Sequence, residues 1–421
     1  MRILWITNTL FPQPSTALGI GAAVVGGWTQ ALGSLISKHK DVDLIVVSYA
    51  KVESLFCSAI DGVIYYVLPI PKDRGIPIAQ TSDWEIILTQ ANPDIIHIHG
   101  TEYPRSLACI NVNPDIPVIV SLQGIIGPYT RYLRADIPFI TVIRNLSIRD
   151  IIRRDFPPFS KRSWVFRSRF EKILIKRSAV VLGRTDWDYA HAKNICTGAH
   201  YKLSNEVLRD DFYNGTKWNL KNCRRHSIFV SQGSIPIKGL HKLIEAISTL
   251  KVDYPDIKIR VSGSRLDLSK SRIYGRIFNS WFRNYLISLI RTNCLDDNLE
   301  FIGEISSSEM VSELQSAHLS ISCSSIENSS NSIGEAQIIG TPVVVSHVGG
   351  SAQMVNFGKA GLLYRFTDTA SLIDNICKIF ESDDLATNLS IEGIRLAEKR
   401  HDRQNILEGL ICNYRETISH P

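Results

Sequence analysis

The chain has 421 residues, too many for one ordinary hydrophobic core and enough for two. With 44% apolar and 21% charged residues it reads as globular and excludes a disordered chain. The net charge is +6, but residues 131–177 alone hold thirteen Lys/Arg against four Asp/Glu, so the rest of the chain is slightly acidic.

The opening MRILWITNTLF turns polar too soon for a secretory signal, and no apolar run of about 18 residues follows. The expectation is a cytoplasmic protein with nothing spanning a membrane. In the first half, strands are predicted at 2–7, 43–48, 62–68, 94–99, 117–121 and 179–182. In the second half they are predicted at 226–231, 257–262, 299–302, 317–322 and 342–346. Near-continuous apolar strands separated by helix-period stretches mean parallel sheets covered on both faces. The pattern runs twice across a polar stretch at 208–225. The fold class is α/β: two doubly wound domains, at 1–205 and 206–400, with a helix over 401–421. Eight cysteines without a CxxC pair suit reduced thiols.

Aromatic residues Phe156, Phe159, Trp164, Phe166 and Phe170 interleave the basic stretch 131–177. Three readings stand side by side: an anionic membrane surface, a solvated helical face, and a grip on substrate phosphates. No nucleic-acid-binding module is recognisable.

Open α/β sheets bind ligands beyond the C-terminal ends of their strands. After the first strand come Gly19, Gly21, Gly26 and Gly27. Position 24 is Val24, so GxGxxG fails and a nicotinamide dinucleotide is not expected. The loop suits a phosphate or an acceptor instead. In SQGSIPIKGLH a helix is predicted to begin at about Lys238. A lysine there opposes the helix dipole, unless an anion binds that end. Farther on, SSIENSSNSIGEAQIIGTPVVVS carries Glu327 and Glu335. Ser332-x-x-Glu335 reads as a capping box, which explains Glu335 structurally. Glu327 has no such explanation. Two carboxylates flanking a helix N-terminus suit a polyhydroxylated ligand that carries phosphate.

Glu327-x7-Glu335, GTPVVVSHVGG, GKAGLLYRF and the upstream Lys238-Gly239 resemble the family-4 retaining glycosyltransferases (glycosyl transferases group 1). The resemblance is dense over 226–365. It is thinner in the first half, at MRILWIT, Gly26-Gly27 and PDIIHIHG. It implies the GT-B fold, two Rossmann-like domains facing across a cleft, and transfer of a sugar from a nucleotide-diphosphate donor to a glycan or lipid-linked glycan. It further implies that Glu335 holds the ribose and Glu327 the donor sugar. Lys238 would hold the diphosphate, with the amides of Asn331, Ser332 and Ile333 completing the cradle. Gly303-Glu304 would lie by the base, and Gly19, Gly21, Gly26 and Gly27 would face the acceptor. SLQGIIG, GRTDWD, EVLRD, KGLH and ENSSNS are similar to a branch in bacterial surface-polysaccharide clusters.

Two departures stand out. Gly233 occupies the position of a usual diphosphate-binding arginine, and Arg184 is the expected substitute. Gln123 stands where the family often has a histidine, giving it a candidate catalytic place beside Glu327 and Lys238.

No metal or other cofactor is expected. Asp41-Val-Asp43 runs into a strand, and Thr185-x-x-Asp188 reads as a capping box. His97 and His99 share one face of a strand without a third ligand. Glu102, just past that strand, suits either an acceptor contact or an ordinary helix-terminal charge. The rival functions are a nucleotide-sugar epimerase and a non-catalytic partner subunit, the latter raised by Gly233.

Overall fold

The computed structural model describes residues 1–21, 27–70, 81–112, 115–263 and 265–420. Its contacts divide the chain into two units. One comprises Met1–Gly127, Trp164–Arg209 and His401–Pro421, the other Pro128–Ser163 and Asp210–Arg400.

The first unit is built on eight strands: β1 Arg2–Thr7, β2 Asp43–Ala50, β3 Phe56–Ile60, β4 Val63–Pro69, β5 Ile95–His99, β6 Val118–Ser121, β7 Val180–Gly183 and β8 Tyr201–Leu203. Their order is β3-β4-β2-β1-β5-β6-β7-β8. β3 pairs antiparallel with β4, and the other described pairs are parallel. Side chains alternate between two cores, because successive strand residues point to opposite faces. Leu4, Ile6, Ile45 and Val47 lie on one face, while Ile3, Trp5, Leu44 and Val46 lie on the other. The helix Arg403–Ser419 covers the second face with Ile406, Leu410, Ile411 and Tyr414. Tyr414 accepts a hydrogen bond from Trp5 Nε1 at 2.9 Å and meets His97 Nδ1 at 2.5 Å.

The second unit holds β9 Arg224–Val230, β10 Lys258–Ser262, β11 Leu299–Gly303, β12 Ala317–Ser322, β13 Val343–Ser346 and β14 Leu362–Tyr364. The order β11-β10-β9-β12-β13-β14, with parallel pairs throughout, is the doubly wound arrangement that reverses direction beside its first strand. Strands are present at each predicted place. β3, β8 and β14 were not anticipated: β8 and β14 are three residues long, and β3 is a half-exposed edge.

The segment 128–163, predicted within the first domain, packs with the second unit. Ser147 caps the helix Ile148–Arg153, shares a capping box with the buried Asp150, and donates to Asn279 O at 2.6 Å. Asn284 Nδ2 donates to Asn145 O at 3.0 Å. Among the described residues no helix is long and apolar enough to cross a membrane.

Candidate active site

In the second unit, the ends of β9 and β12 bring Lys238 and Glu327 together. Lys238 closes a short 3-10 turn, Pro236–Lys238, and the chain then turns through Gly239 at φ 71°. A Cβ at that glycine would lie 1.7 Å from Cys323 O, so the loop after β9 rests directly on the backbone leaving β12. Lys238 Nζ lies 2.7 Å from Glu327 Oε2, and Ser324 Oγ donates to the same oxygen at 3.1 Å. Glu327 is fixed from behind as well, since Gly350 N donates to its carbonyl at 3.0 Å.

The helix Asn331–Ile339 begins four residues beyond Glu327, so Asn331, Ser332 and Ile333 form its first turn. The expected capping box from Ser332 is corrected here. The chain is already helical at Asn331, and Ser330 is the N-cap, without a side-chain cap bond. Ser332 is therefore the second helical residue and Glu335 the fifth, too deep for an N3 carboxylate to reach back. Glu335 is buried, and the capping box does not account for it. What remains is a lysine, two carboxylates and the positive end of a helix at the ligand-facing end of one sheet.

Gly233 lies just past β9. A Cβ there would meet Leu240 Cδ2 at 2.6 Å and Val261 Cγ1 at 3.0 Å. Gly303 ends β11 at φ 79° with Arg265 against it, and Glu304 beyond it is exposed.

The first unit has its own cluster past β1, β5 and β6. Asn8 Nδ2 donates to Glu102 Oε2 at 3.2 Å and to His99 O at 3.4 Å. A Cβ on Gly100 would fall 3.3 Å from the Gln123 side chain, which places Gln123 and Glu102 around the same glycine. Burial pushes the Glu102 carboxyl up to about 7. Arg184 also lies in this unit. It pairs with Glu206 at 2.6 Å, both side chains buried, and donates to the carbonyls of Leu122 and Gln123 at 3.2 and 2.8 Å. Gly19 and Gly21 are exposed. Gly27 opens the helix Gly27–Ile36, close against Arg209, and Gly26 is outside the described residues.

Neither aspartate string is placed as a metal site. Asp188 completes the expected capping box with Thr185, and Asp41 pairs with Arg415 at 2.9 Å. His97 is bonded to Tyr414 and Ser121, at 2.5 and 2.7 Å. Among the described residues no group of three His, Cys, Asp or Glu is placed to hold a metal.

Sequence reasoning missed two supports. Glu171, fully buried, accepts from Thr101 Oγ1, Ile126 N and Gly127 N at 2.9, 2.9 and 3.1 Å, and so ties the loop after Gln123 to the loop after β5. In the second unit the 132–136 loop braces the Lys238 region. Tyr132 O accepts from Ser325 Oγ at 3.2 Å, Ala135 O meets His241 Nε2 at 2.9 Å, and Asp136 lies 3.5 Å from Lys242. Residues 132–136 adjoin no motif, so the sequence carried no signal for this contact.

The family model for glycosyl transferases group 1 matches residues 217–395. A D-inositol 3-phosphate glycosyltransferase of Corynebacterium urealyticum is 29% identical over 191 residues; these are 44% of this chain, and the chain spans 42% of the length of that curated relative. Among solved structures, sucrose-phosphate synthase of Thermosynechococcus elongatus superimposes with a TM-score of 0.72 at 14% identity, with 100% of each chain covered. HepE of Anabaena, solved in complex with UDP and glucose, gives 0.65 at 16% identity, again with 100% of each chain covered. At these identities the structural likeness is one of fold. Residues 217–395 thus match the glycosyl transferases group 1 family, in a chain whose two sheets are the Rossmann-like domains of the GT-B fold.

Proposed function

We propose that the chain is a metal-independent, retaining hexosyltransferase. It moves a sugar from a nucleotide-diphosphate donor to a hydroxyl of a glycan or lipid-linked glycan, in the synthesis of a bacterial surface polysaccharide and on the cytoplasmic side of the membrane. The observation that carries this reading is the 2.7 Å pair of Lys238 and Glu327 beside the start of Asn331–Ile339. The donor binds here with its diphosphate on Lys238 and the first-turn amides, its sugar hydroxyls on Glu327 and its ribose on Glu335. A second cation at position 233 is replaced by the helix end itself. HepE, described with UDP and glucose and with UDP-glucose, supports a donor of this class.

In the reaction the bond from sugar C1 to the diphosphate oxygen breaks, and its electron pair leaves with the diphosphate. Lys238 and the amides stabilise that charge as it develops. The acceptor oxygen bonds to C1 on the same face, and its proton passes to the departing phosphate oxygen. In the first unit, Gln123 is assigned the neutral hydrogen bond to the sugar and Glu102 the contact with the acceptor. Arg184, neutralised by Glu206, holds the Gln123 backbone in place.

Thermal stability against UDP-, GDP-, ADP- and CMP-sugars, with and without EDTA, tests the donor assignment on wild type and Glu335→Ala. A ligand at about 100 times its Kd adds roughly 2.7 kcal/mol. One nucleotide class should stabilise the wild type, unchanged by EDTA, and fail with the variant. No stabilisation by any donor would favour a non-catalytic subunit. An isomerised nucleotide sugar formed without acceptor would identify an epimerase.

A further inference from the structure

We propose that the second unit docks on anionic phospholipid through the helices Phe139–Asn145, Ile148–Arg153 and Arg272–Phe278, with a lipid phosphate seated in the cationic pocket beside them. This goes beyond glycosyl transfer and holds independently of it. It also redraws the sequence expectation for 131–177: the face includes a helix more than a hundred residues downstream and leaves out the part of 131–177 that belongs to the first unit.

The three helices are tied together. Ser147 bonds to Asn279 O, and Asn284, on the following helix Trp281–Thr292, donates to both Asn145 O and Gly275 O. Asp150, buried in the seam, takes further hydrogen bonds from its own cap and from the backbone of Trp281. Outward from this seam stand large apolar side chains: Ile152 is 76% exposed, Ile273 74%, and Ile151 and Phe278 58% each. Single exposed isoleucines are ordinary, but a cluster on packed neighbouring helices is not.

Charge supplies the second observation. Arg144, Arg153 and Arg154 are exposed among the apolar residues of the first two helices, as are Arg272 and Arg276 on the third. Behind that third helix lies a cavity of about 280 Å³ whose cationic lining is Lys270, Arg272, Arg276 and Arg291, with the amides of Asn145 and Asn284. No carboxylate is among its described lining residues. Asp267, outside the lining, lies 3.7 Å from Lys270 and offsets part of that one charge. Four cations around one cavity repel each other until an anion enters. A neutral membrane gives those cations nothing, and a soluble polyanion gives the isoleucines nothing. An anionic lipid satisfies both, with its phosphate in the cavity and its acyl boundary around Ile152, Ile273 and Phe278.

The test is co-sedimentation of the full chain with phosphatidylcholine vesicles, with and without phosphatidylglycerol, at salt from about 0.05 to 0.5 M. Variants are Arg272→Ala/Arg276→Ala, Ile273→Ser/Phe278→Ser and, as a control on the first unit, Lys172→Ala/Lys176→Ala. All six side chains are outside the cores, so melting temperatures verify folding. The expected result is binding that requires phosphatidylglycerol and falls roughly tenfold or more in each of the first two variants but not in the control. Soluble glycerol phosphate, at a concentration that matches the vesicle headgroups, should not release the bound protein. Equal binding to neutral vesicles, equal loss in the control, no loss in Ile273→Ser/Phe278→Ser, or full release by glycerol phosphate would each overturn the proposal.

Discussion

Leu240 occupies the room that a side chain at position 233 needs. A Cβ on Gly233 would stand 2.6 Å from Leu240 Cδ2, and Leu240 is fully buried. The arginine usual in the resembling family would therefore force Leu240 and Val261 to shift. Gly233→Arg is expected to lower stability by about 1–3 kcal/mol through overpacking. It is expected to leave donor affinity no better than wild type. Denaturant unfolding and a donor titration check this. A variant of wild-type stability that binds donor about tenfold more tightly would show that the space is available after all.

The Lys238–Glu327 pair is mostly shielded, with the lysine side chain 24% and the glutamate 14% exposed, and the cost of desolvating both charges offsets most of their attraction, so the net contribution to folding is about 1 kcal/mol. Its removal should therefore register in turnover. Lys238→Ala is expected to reduce kcat/KM by about 10²–10³ as transition-state charge goes unmet. The melting temperature should stay within a few degrees of wild type. Steady-state kinetics and a melt decide between roles. A large loss of stability with near-normal turnover would make the pair structural.

The parallel strands were legible because strands buried on both faces are apolar with little interruption, as LIVV at 44–47 and PVVV at 342–345 show. The three-residue strands β8 and β14 carry too few residues for any period to emerge. Lys238 and Glu327 were legible from residue types that local structure did not require, whereas Glu335 was legible only through the family resemblance, because the start of the helix was misjudged by two residues and gave it a capping role. Ser330, Ser332 and Asn331 are all acceptable caps, so composition alone could not choose among them. The placement of 128–163 was illegible for a different reason. It depends on contacts such as Ser147 to Asn279, 132 positions apart, and charge counts do not say which sheet a helix will join.

Gly349 should be as sensitive as the carboxylate it supports. It sits at φ 52°, and a Cβ there would fall 1.9 Å from the carbonyl oxygen of Glu327. Gly349→Ala must move either its own loop or Glu327. The expectation is a destabilisation of about 1–3 kcal/mol. Turnover should fall as well, while affinity for the free nucleotide changes by no more than about threefold, because Glu335 and the helix start stay in place. Isothermal titration with nucleotide, set beside kinetics with the nucleotide sugar, separates the two. Equal losses in both would mean that the whole site, not Glu327 alone, had shifted.

His241 links pH to the loop that braces Lys238. Burial holds its imidazole down at about 4, and Nε2 meets Ala135 O at 2.9 Å. An unfolded histidine titrates near 6.5. The neutral ring's contribution is therefore complete above about 6.5. It is lost as pH falls towards 4, because the unfolded chain takes up the proton first. The slope attributable to this residue is at most about 1.4 kcal/mol per pH unit. Urea unfolding between pH 7.5 and pH 4.5 should show wild type losing stability relative to His241→Gln, with the 132–136 loop gaining amide exchange before the sheet does. Parallel stability curves for the two proteins across that window would mean that His241 is not what ties the loop to the helix.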